Sequence, residues 1–235
     1  MRRSSCCCFG LLAVLAGAPA AAISLGQTDD FQAGTVSGWS GGSSPHNAAM
    51  GGPAGDPDRY LAIDALNRNL GTYNAVQWAG DYLSAGVTAI RLDVRNTGPD
   101  PVALRLTVFG PNLVTAYTSV NAIPVAPGSG WIAIEFGISE ADLVVKSGTA
   151  SFADTLSSVS RLLIRHDPDP ISSPAQQNSV TTTLGLDNVT AVPEPTTGLL
   201  VIAGLAALSR APRACASPCA RAAPRSRRAR SRSPR

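Results

Sequence analysis

Gly38-Trp39-Ser40-Gly41-Gly42 matches by letter the G-x-S-x-G pentapeptide that sets a serine nucleophile on a sharp turn from strand into helix. The chemistry needs that helix, and Ser40 is followed by Gly-Gly-Ser-Ser-Pro, which cannot form one, so the segment reads as a loop. The two histidines, His46 and His166, stand in stretches rich in Pro, Ser or Asp. Neither has a second histidine two or four residues away, the spacing a zinc site would use, so His166-Asp-Pro-Asp169 offers at most weak metal binding. Glycoside hydrolysis needs two carboxylates at a set separation in space, and nothing in the sequence singles out such a pair. The reactive residue types therefore point away from an enzyme.

Aromatic residues offer a different chemistry, because an exposed ring face stacks on a pyranose. All three Trp and all four Tyr lie in the middle of the chain. Trp39, Trp78 and Trp131 each sit at a strand end beside Gly or a polar residue, where a ring either forms a platform for sugar or closes a core. Tyr60, Tyr73, Tyr82 and Tyr117 are not ranked by the sequence.

The elements that must position these residues follow from composition and period. The chain has 235 residues, 44% hydrophobic, 5% aromatic and 15% charged, with 22 Gly and 18 Pro. This excludes a disordered polyelectrolyte, a coiled coil and a multi-span membrane protein. The net charge of +3 hides a partition: residues 23–192 carry 8 basic and 15 acidic residues, whereas Arg2 and Arg3 lie at one end and nine Arg at the other. Cysteine is partitioned too, with Cys6, Cys7, Cys8, Cys215 and Cys219 all outside that middle stretch. The middle domain thus has no disulfide and no thiolate nucleophile, and its core must hold it.

Within residues 23–192 the period is two. Ile90, Leu92 and Val94 alternate with Arg91, Asp93 and Arg95, and Val102, Leu104, Leu106 and Val108 repeat the pattern after the turn-rich Asn96-Thr-Gly-Pro-Asp-Pro101, so these two runs read as a hairpin. Further strands are expected at Tyr60 to Asp64, Tyr73 to Trp78, Val114 to Ser119, Trp131 to Phe136, Arg161 to His166 and Thr181 to Val189. Short helical turns are expected at Ser139 to Val145 and Phe152 to Val159. Eight or nine short strands with turns between them make an all-β, antiparallel β-sandwich.

Asp29-Asp30-Phe31 with Gly38-Trp39 opens this domain, and Leu184-Gly-Leu-Asp187-Asn188-Val189 closes it. In these segments the chain resembles the jelly roll of carbohydrate-binding modules and galactose-binding-like domains, whose first and last strands lie side by side. The resemblance implies a structural Ca²⁺ between those strands, held by oxygen ligands carried onto Asp30 and Asp187, with Asp58 of Gly55-Asp-Pro-Asp58 as a further ligand. The competing role for these Asp residues is turn capping.

The ends carry addresses. Arg2 and Arg3, the apolar run from Phe9, and Ala18-Pro-Ala20-Ala-Ala22 compose a signal peptide cleaved after Ala20 or Ala22. Past the domain come Pro193-Glu194-Pro195, an apolar stretch and a cluster of arginines. This arrangement resembles the PEP-CTERM sorting signal, which implies export by the Sec route, a transient hold in the inner membrane, and processing by an exosortase, a membrane-embedded cysteine protease. Thr196 to Leu208 is short for a transmembrane helix, roughly 20 Å against about 30 Å of hydrocarbon. The tail beyond it contains only Arg, Ala, Ser, Pro and Cys, without the aromatic residues that would interleave a nucleic-acid site.

The expected organisation is therefore 1–22 signal peptide, 23–191 β-sandwich, 192–210 sorting signal and 211–235 Arg-rich tail. The sequence reads as an exported, non-enzymatic structural or adhesive component of the cell envelope or extracellular matrix, with an exosortase-like protease and extracellular polysaccharide as partners and no nucleic acid. The alternative is a carbohydrate-binding module for exopolysaccharide, and a glycoside hydrolase is the third class.

Overall fold

The computed structural model describes residues 22–171 and 179–193. They form an all-β sandwich of two antiparallel sheets with jelly-roll architecture. In chain order the strands are β1 (Thr28–Asp29), β2 (Trp39–Ser40), β3 (His46–Ala48), β4 (Tyr60–Arg68), β5 (Gly71–Asn74), β6 (Ala89–Asn96), β7 (Val102–Phe109), β8 (Ala116–Ser119), β9 (Ile123–Val125), β10 (Ile132–Gly137), β11 (Leu143–Ser147), β12 (Arg161–His166) and β13 (Val180–Val192). Two short helices, α1 (Tyr82–Ala85) and α2 (Phe152–Leu156), are capped by Asp81 and Ser151, whose side chains accept the N–H of Ser84 and Asp154. One sheet has the order β10-β6-β13-β4-β3, with β1 pairing β13; the other runs β11-β8-β7-β12-β5-β2, with β9 pairing β7.

Alternation decides which side chains meet between the sheets. Leu61 and Ile63 of β4, Ile90, Leu92 and Val94 of β6, and Leu184 and Leu186 of β13 face Leu104, Leu106 and Val108 of β7 and Leu162 and Ile164 of β12 in one continuous core. Each such residue contributes about 1.5–3 kcal/mol by leaving water. The first and last strands lie side by side as expected, with Thr28 opposite Thr190 and Asp29 opposite Val189.

Three expectations need correction. The β6 and β7 runs are not a hairpin: β6 pairs β10 and β13, β7 pairs β8, β9 and β12, and the Asn96–Pro101 turn carries the chain from one sheet to the other. An alternating strand has one apolar face whether its neighbour lies beside it or across the core, so the period alone does not separate the two cases. The strand at Tyr73 ends at Asn74, whose side chain accepts the N–H of Val76 and turns the chain. Leu143–Ser147 is edge strand β11 instead of helix, because only the β8 side offers it partners.

At the closing edge of the core lies a buried carboxylate. Asp29 Oδ2 accepts the indole N–H of both Trp39 and Trp78, each at 2.7 Å, and Oδ1 accepts Gln77 Nε2 at 2.9 Å. The rings meet tilted, centroids 6.2 Å apart. Asp29→Ala leaves two indole donors buried without an acceptor, and is expected to lower stability by about 3–5 kcal/mol in urea denaturation. A loss below about 1 kcal/mol would show that the carboxylate is not what holds this corner.

Candidate functional site

The outer face of the seven-stranded sheet gathers charge and aromatic surface along β12. With Leu162 and Ile164 pointing into the core, Arg161, Leu163 and Arg165 point outward. The antiparallel registers set Leu163 beside Tyr73 of β5, Arg161 beside Phe109 of β7, and Arg165 between Gly71 and Arg105. The Arg161 guanidinium consequently lies over two rings, 4.7 Å from the centroid of Tyr73 and 4.3 Å from that of Phe109. Its Nε is buried and has no hydrogen-bond partner among the described residues.

A groove of about 200 Å³ opens at this point, lined by Asn69, Gly71, Tyr73, Arg161, Leu163 and Arg165, with Gly42 at its rim. Gly41 and Gly42 can run close to β5 only because they lack side chains and adopt positive φ: a Cβ on Gly41 would lie 2.2 Å from the Tyr73 ring, and one on Gly42 would lie 2.1 Å from the Gly71 carbonyl oxygen. The Gly-x-Ser-x-Gly segment thus shapes a groove wall. Ser40 ends strand β2 and no helix follows it.

The far end of this face holds a charged network. Asp167 Oδ2 accepts Lys146 Nζ at 2.7 Å and Arg165 Nη2 at 3.1 Å. Arg105, almost fully buried, donates to the carbonyls of Ser119, Val120, Asp167 and Pro168. Burial pulls the pKa of Arg105 and of Arg165 down, and Asp167 opposes that pull in both. His166 points inward and its Nδ1 accepts the Ala103 N–H at 2.9 Å, which fixes it as the neutral Nε2–H tautomer. Desolvation lowers its pKa in keeping with that role. His46 lies exposed in the other sheet, 3.6 Å from Asp64, and neither histidine bonds Ser40.

On the opposite sheet a second cationic-aromatic cluster is already filled. Arg95 lies 4.5 Å from the Tyr60 centroid and 4.8 Å from that of Trp131, whose rings meet edge to face. Trp131 donates to the Gly51 carbonyl and lies across Gly185, where a Cβ would come within 2.8 Å of the indole. This places Trp131, one of the three tryptophans weighed as either sugar platform or core, in a packed half-exposed cluster. Trp39 and Trp78, the other two, are 1% and 0% exposed and bond Asp29 inside the core, so their rings are not presented to a ligand. A Trp at a strand end closes the sandwich here because a buried acceptor awaits its N–H.

Asp187 sits at a bulge of β13, where the pairing with β6 shifts register and Asn188 takes positive φ. It is 1% exposed; Oδ1 accepts the Asn188 N–H at 2.8 Å and Oδ2 has no partner among the described residues. Burial first, then the nearby carboxylates of Asp58, Asp93 and Asp30, push its pKa up to about 7. The three expected calcium ligands are thus brought into one neighbourhood with unequal freedom. Both Asp58 oxygens accept bonds, from Gln32 Nε2 and the Ala54 N–H, and Asp30 Oδ1 accepts the Gln32 N–H. Among the described residues no three His, Cys, Asp or Glu side chains converge closely enough to enclose a metal ion. The orphaned Asp187 oxygen fits a cation, and Asp58 also serves its own loop.

Pro193 and Ala22 are exposed, whereas Ala20, Glu194, Pro195 and the apolar stretch that follows lie outside the described residues. Among the described residues no helix is long and apolar enough to cross a membrane.

No protein-family model matches the chain. No curated protein matches it either. Among solved structures the sandwich is similar to part of an exo-β-agarase, 14% identical with a TM-score of 0.52 over 73% of this chain and 26% of that one, so it spans about a quarter of the enzyme's length. It is also similar to a family 11 carbohydrate-binding module from Clostridium thermocellum, solved with a β-1,3-1,4-mixed-linked tetrasaccharide (15% identical, TM-score 0.46, 72% and 97% covered). A third is the CBM22-1 xylan-binding domain of Paenibacillus barcinonensis Xyn10C (17% identical, TM-score 0.44, 73% and 99% covered). At these identities the likeness is one of fold.

Proposed function

We propose that the chain is an exported, non-enzymatic polysaccharide-binding protein whose glycan lies on the outer face of the seven-stranded sheet. The observation that carries this reading is the Arg161 guanidinium, held over Tyr73 and Phe109 and lining an open groove. A sugar's hydroxyl oxygens suit a guanidinium and its apolar C–H groups suit the Tyr73 and Leu163 side chains, and these line the groove. A purely structural or adhesive sandwich, the main expectation from sequence, has no need of such a groove. The fold shared with part of an exo-β-agarase is in keeping with a polysaccharide ligand. In affinity electrophoresis through gels containing a panel of polysaccharides, at least one polymer is expected to retard the protein, and Tyr73→Ala is expected to weaken that retardation about tenfold while keeping the melting temperature. An unretarded protein, or a Tyr73→Ala variant retarded like the wild type, would refute the reading.

We propose that Asp187 anchors a structural Ca²⁺ between the first and last strands, with Asp30 and Asp58 adding negative charge nearby and not closing a three-carboxylate cage. Its support is the buried Asp187 oxygen without a partner. Ca²⁺ is expected to raise the melting temperature above its value in EDTA by several degrees, and Asp187→Asn is expected to abolish the difference. Equal melting temperatures in the two conditions would remove calcium from the account.

The route is export by the signal peptide, a transient hold in the inner membrane, and processing near Pro193-Glu194-Pro195 by an exosortase-like protease, which delivers the domain to the envelope or extracellular matrix. Of the two candidate cleavage points, the one after Ala20 suits the fold better. Ile23 is buried and its N–H donates to the Ala79 carbonyl at 2.8 Å, where a free charged amine would be desolvated, while Ala22 is exposed. Mass spectrometry of the exported protein is expected to show a start at Ala21 and an end near Glu194; a chain running to Arg235 would sink the sorting proposal.

A further inference from the structure

We propose that the groove on β12 selects polysaccharides that carry anionic groups, with the Arg161 guanidinium as the anion receptor. This rests on the reading of that face as the glycan site and adds the ligand's charge to it. The domain carries an electrostatic contrast. Residues 23–192 carry 15 acidic against 8 basic residues, yet along the outer face of β12 and its neighbours Arg105, Lys146, Arg161 and Arg165 stand against Asp167 and Asp169. Half of the domain's cations are collected on one surface of an otherwise acidic body.

The four cations are not equivalent. Lys146 and Arg165 share Asp167, and Arg105 is spent on four backbone carbonyls. Among the described residues Arg161 makes no ion pair and no hydrogen bond, and two ring faces are what compensate its cation. Aromatic faces stabilise a guanidinium by about 0.5–2 kcal/mol while leaving its N–H edge unused. That edge, in a groove that also holds Arg165, matches the paired oxygens of a carboxylate or sulfate by a bidentate fork. A neutral sugar would offer only hydroxyl oxygens to the same donors, and charge-assisted bonds are about twice as strong as neutral ones. Two ligand types share this chemistry, uronate-containing and sulfated polymers, and the experiment must separate them.

The full-length protein is compared with its Arg161→Gln and Arg161→Lys variants and with Tyr73→Ala by isothermal titration against sodium alginate, a sulfated galactan and neutral laminarin. The arginines of the C-terminal tail are present in every variant, so a difference between variants reports on the substituted residue. Arg161→Gln is expected to lose at least about tenfold in affinity for an anionic polymer, with Arg161→Lys recovering only part of it, and with the melting temperature unchanged in both. Loss confined to alginate identifies a carboxylate ligand, and loss confined to the galactan a sulfate. If Arg161→Gln binds every polymer as the wild type does while Tyr73→Ala does not, the anion inference is overturned and the glycan reading stands. If the wild type favours laminarin over both anionic polymers, the inference is likewise overturned. If no polymer binds at all, both readings fall.

Discussion

The buried Asp29 carboxylate is the point on which the rest of this sandwich hangs. It is carried by the two-residue strand β1 at the start of the domain, and it takes both large indoles of the core as donors. Those indoles belong to segments that no local interaction would bring together: Trp39 opens β2, and Trp78 follows the turn after β5. With Trp39 fixed opposite Asn74, Ser40 falls opposite Tyr73, and the next residue, Gly41, closes against the Tyr73 ring. The interior carboxylate therefore sets the wall of the exterior groove, one residue at a time.

The two outer faces solve similar problems in opposite ways. Each has an arginine over two aromatic rings drawn from different strands or loops. On the six-stranded sheet, Trp131 drops onto Gly185 and donates to Gly51, so the cluster is filled by the protein itself. On the seven-stranded sheet, the corresponding space stays open, and glycines at 41, 42 and 71 keep the backbone low beside it. What distinguishes an open groove from a packed surface here is the lack of a side chain to cover it.

Much of the architecture was legible because alternation reports which face of a strand is dry. Arg161-Leu-Leu-Ile-Arg165 displays its two outward arginines openly, and β12 occupies the expected residues. The pairing of strands is another matter: nothing in residues 87–108 distinguishes a hairpin from a crossover between sheets, since both bury the same face. Arg161 meets Tyr73 and Phe109 only through registers spanning dozens of residues, so neither ring could be nominated from sequence. The tryptophans were ambiguous for a physical reason, since a ring beside glycine is exposed or buried according to whether an acceptor such as Asp29 lies beneath it. Asp30, Asp58 and Asp187 were suggested by resemblance alone, and the bulge that buries Asp187 has no signature beyond Asp-Asn in a strand.

The central claim is that a polysaccharide lies along β5, β12 and β7 on the outer face. Mapping amide chemical-shift changes in ¹⁵N-labelled protein during titration with an oligosaccharide of a polymer that it binds tests this most directly. The account predicts changes concentrated at Gly42, Gly71, Tyr73, Phe109, Arg161 and Arg165, with the Asp29 corner undisturbed. Changes centred instead on Tyr60, Arg95 and Trp131 of the opposite sheet would contradict it.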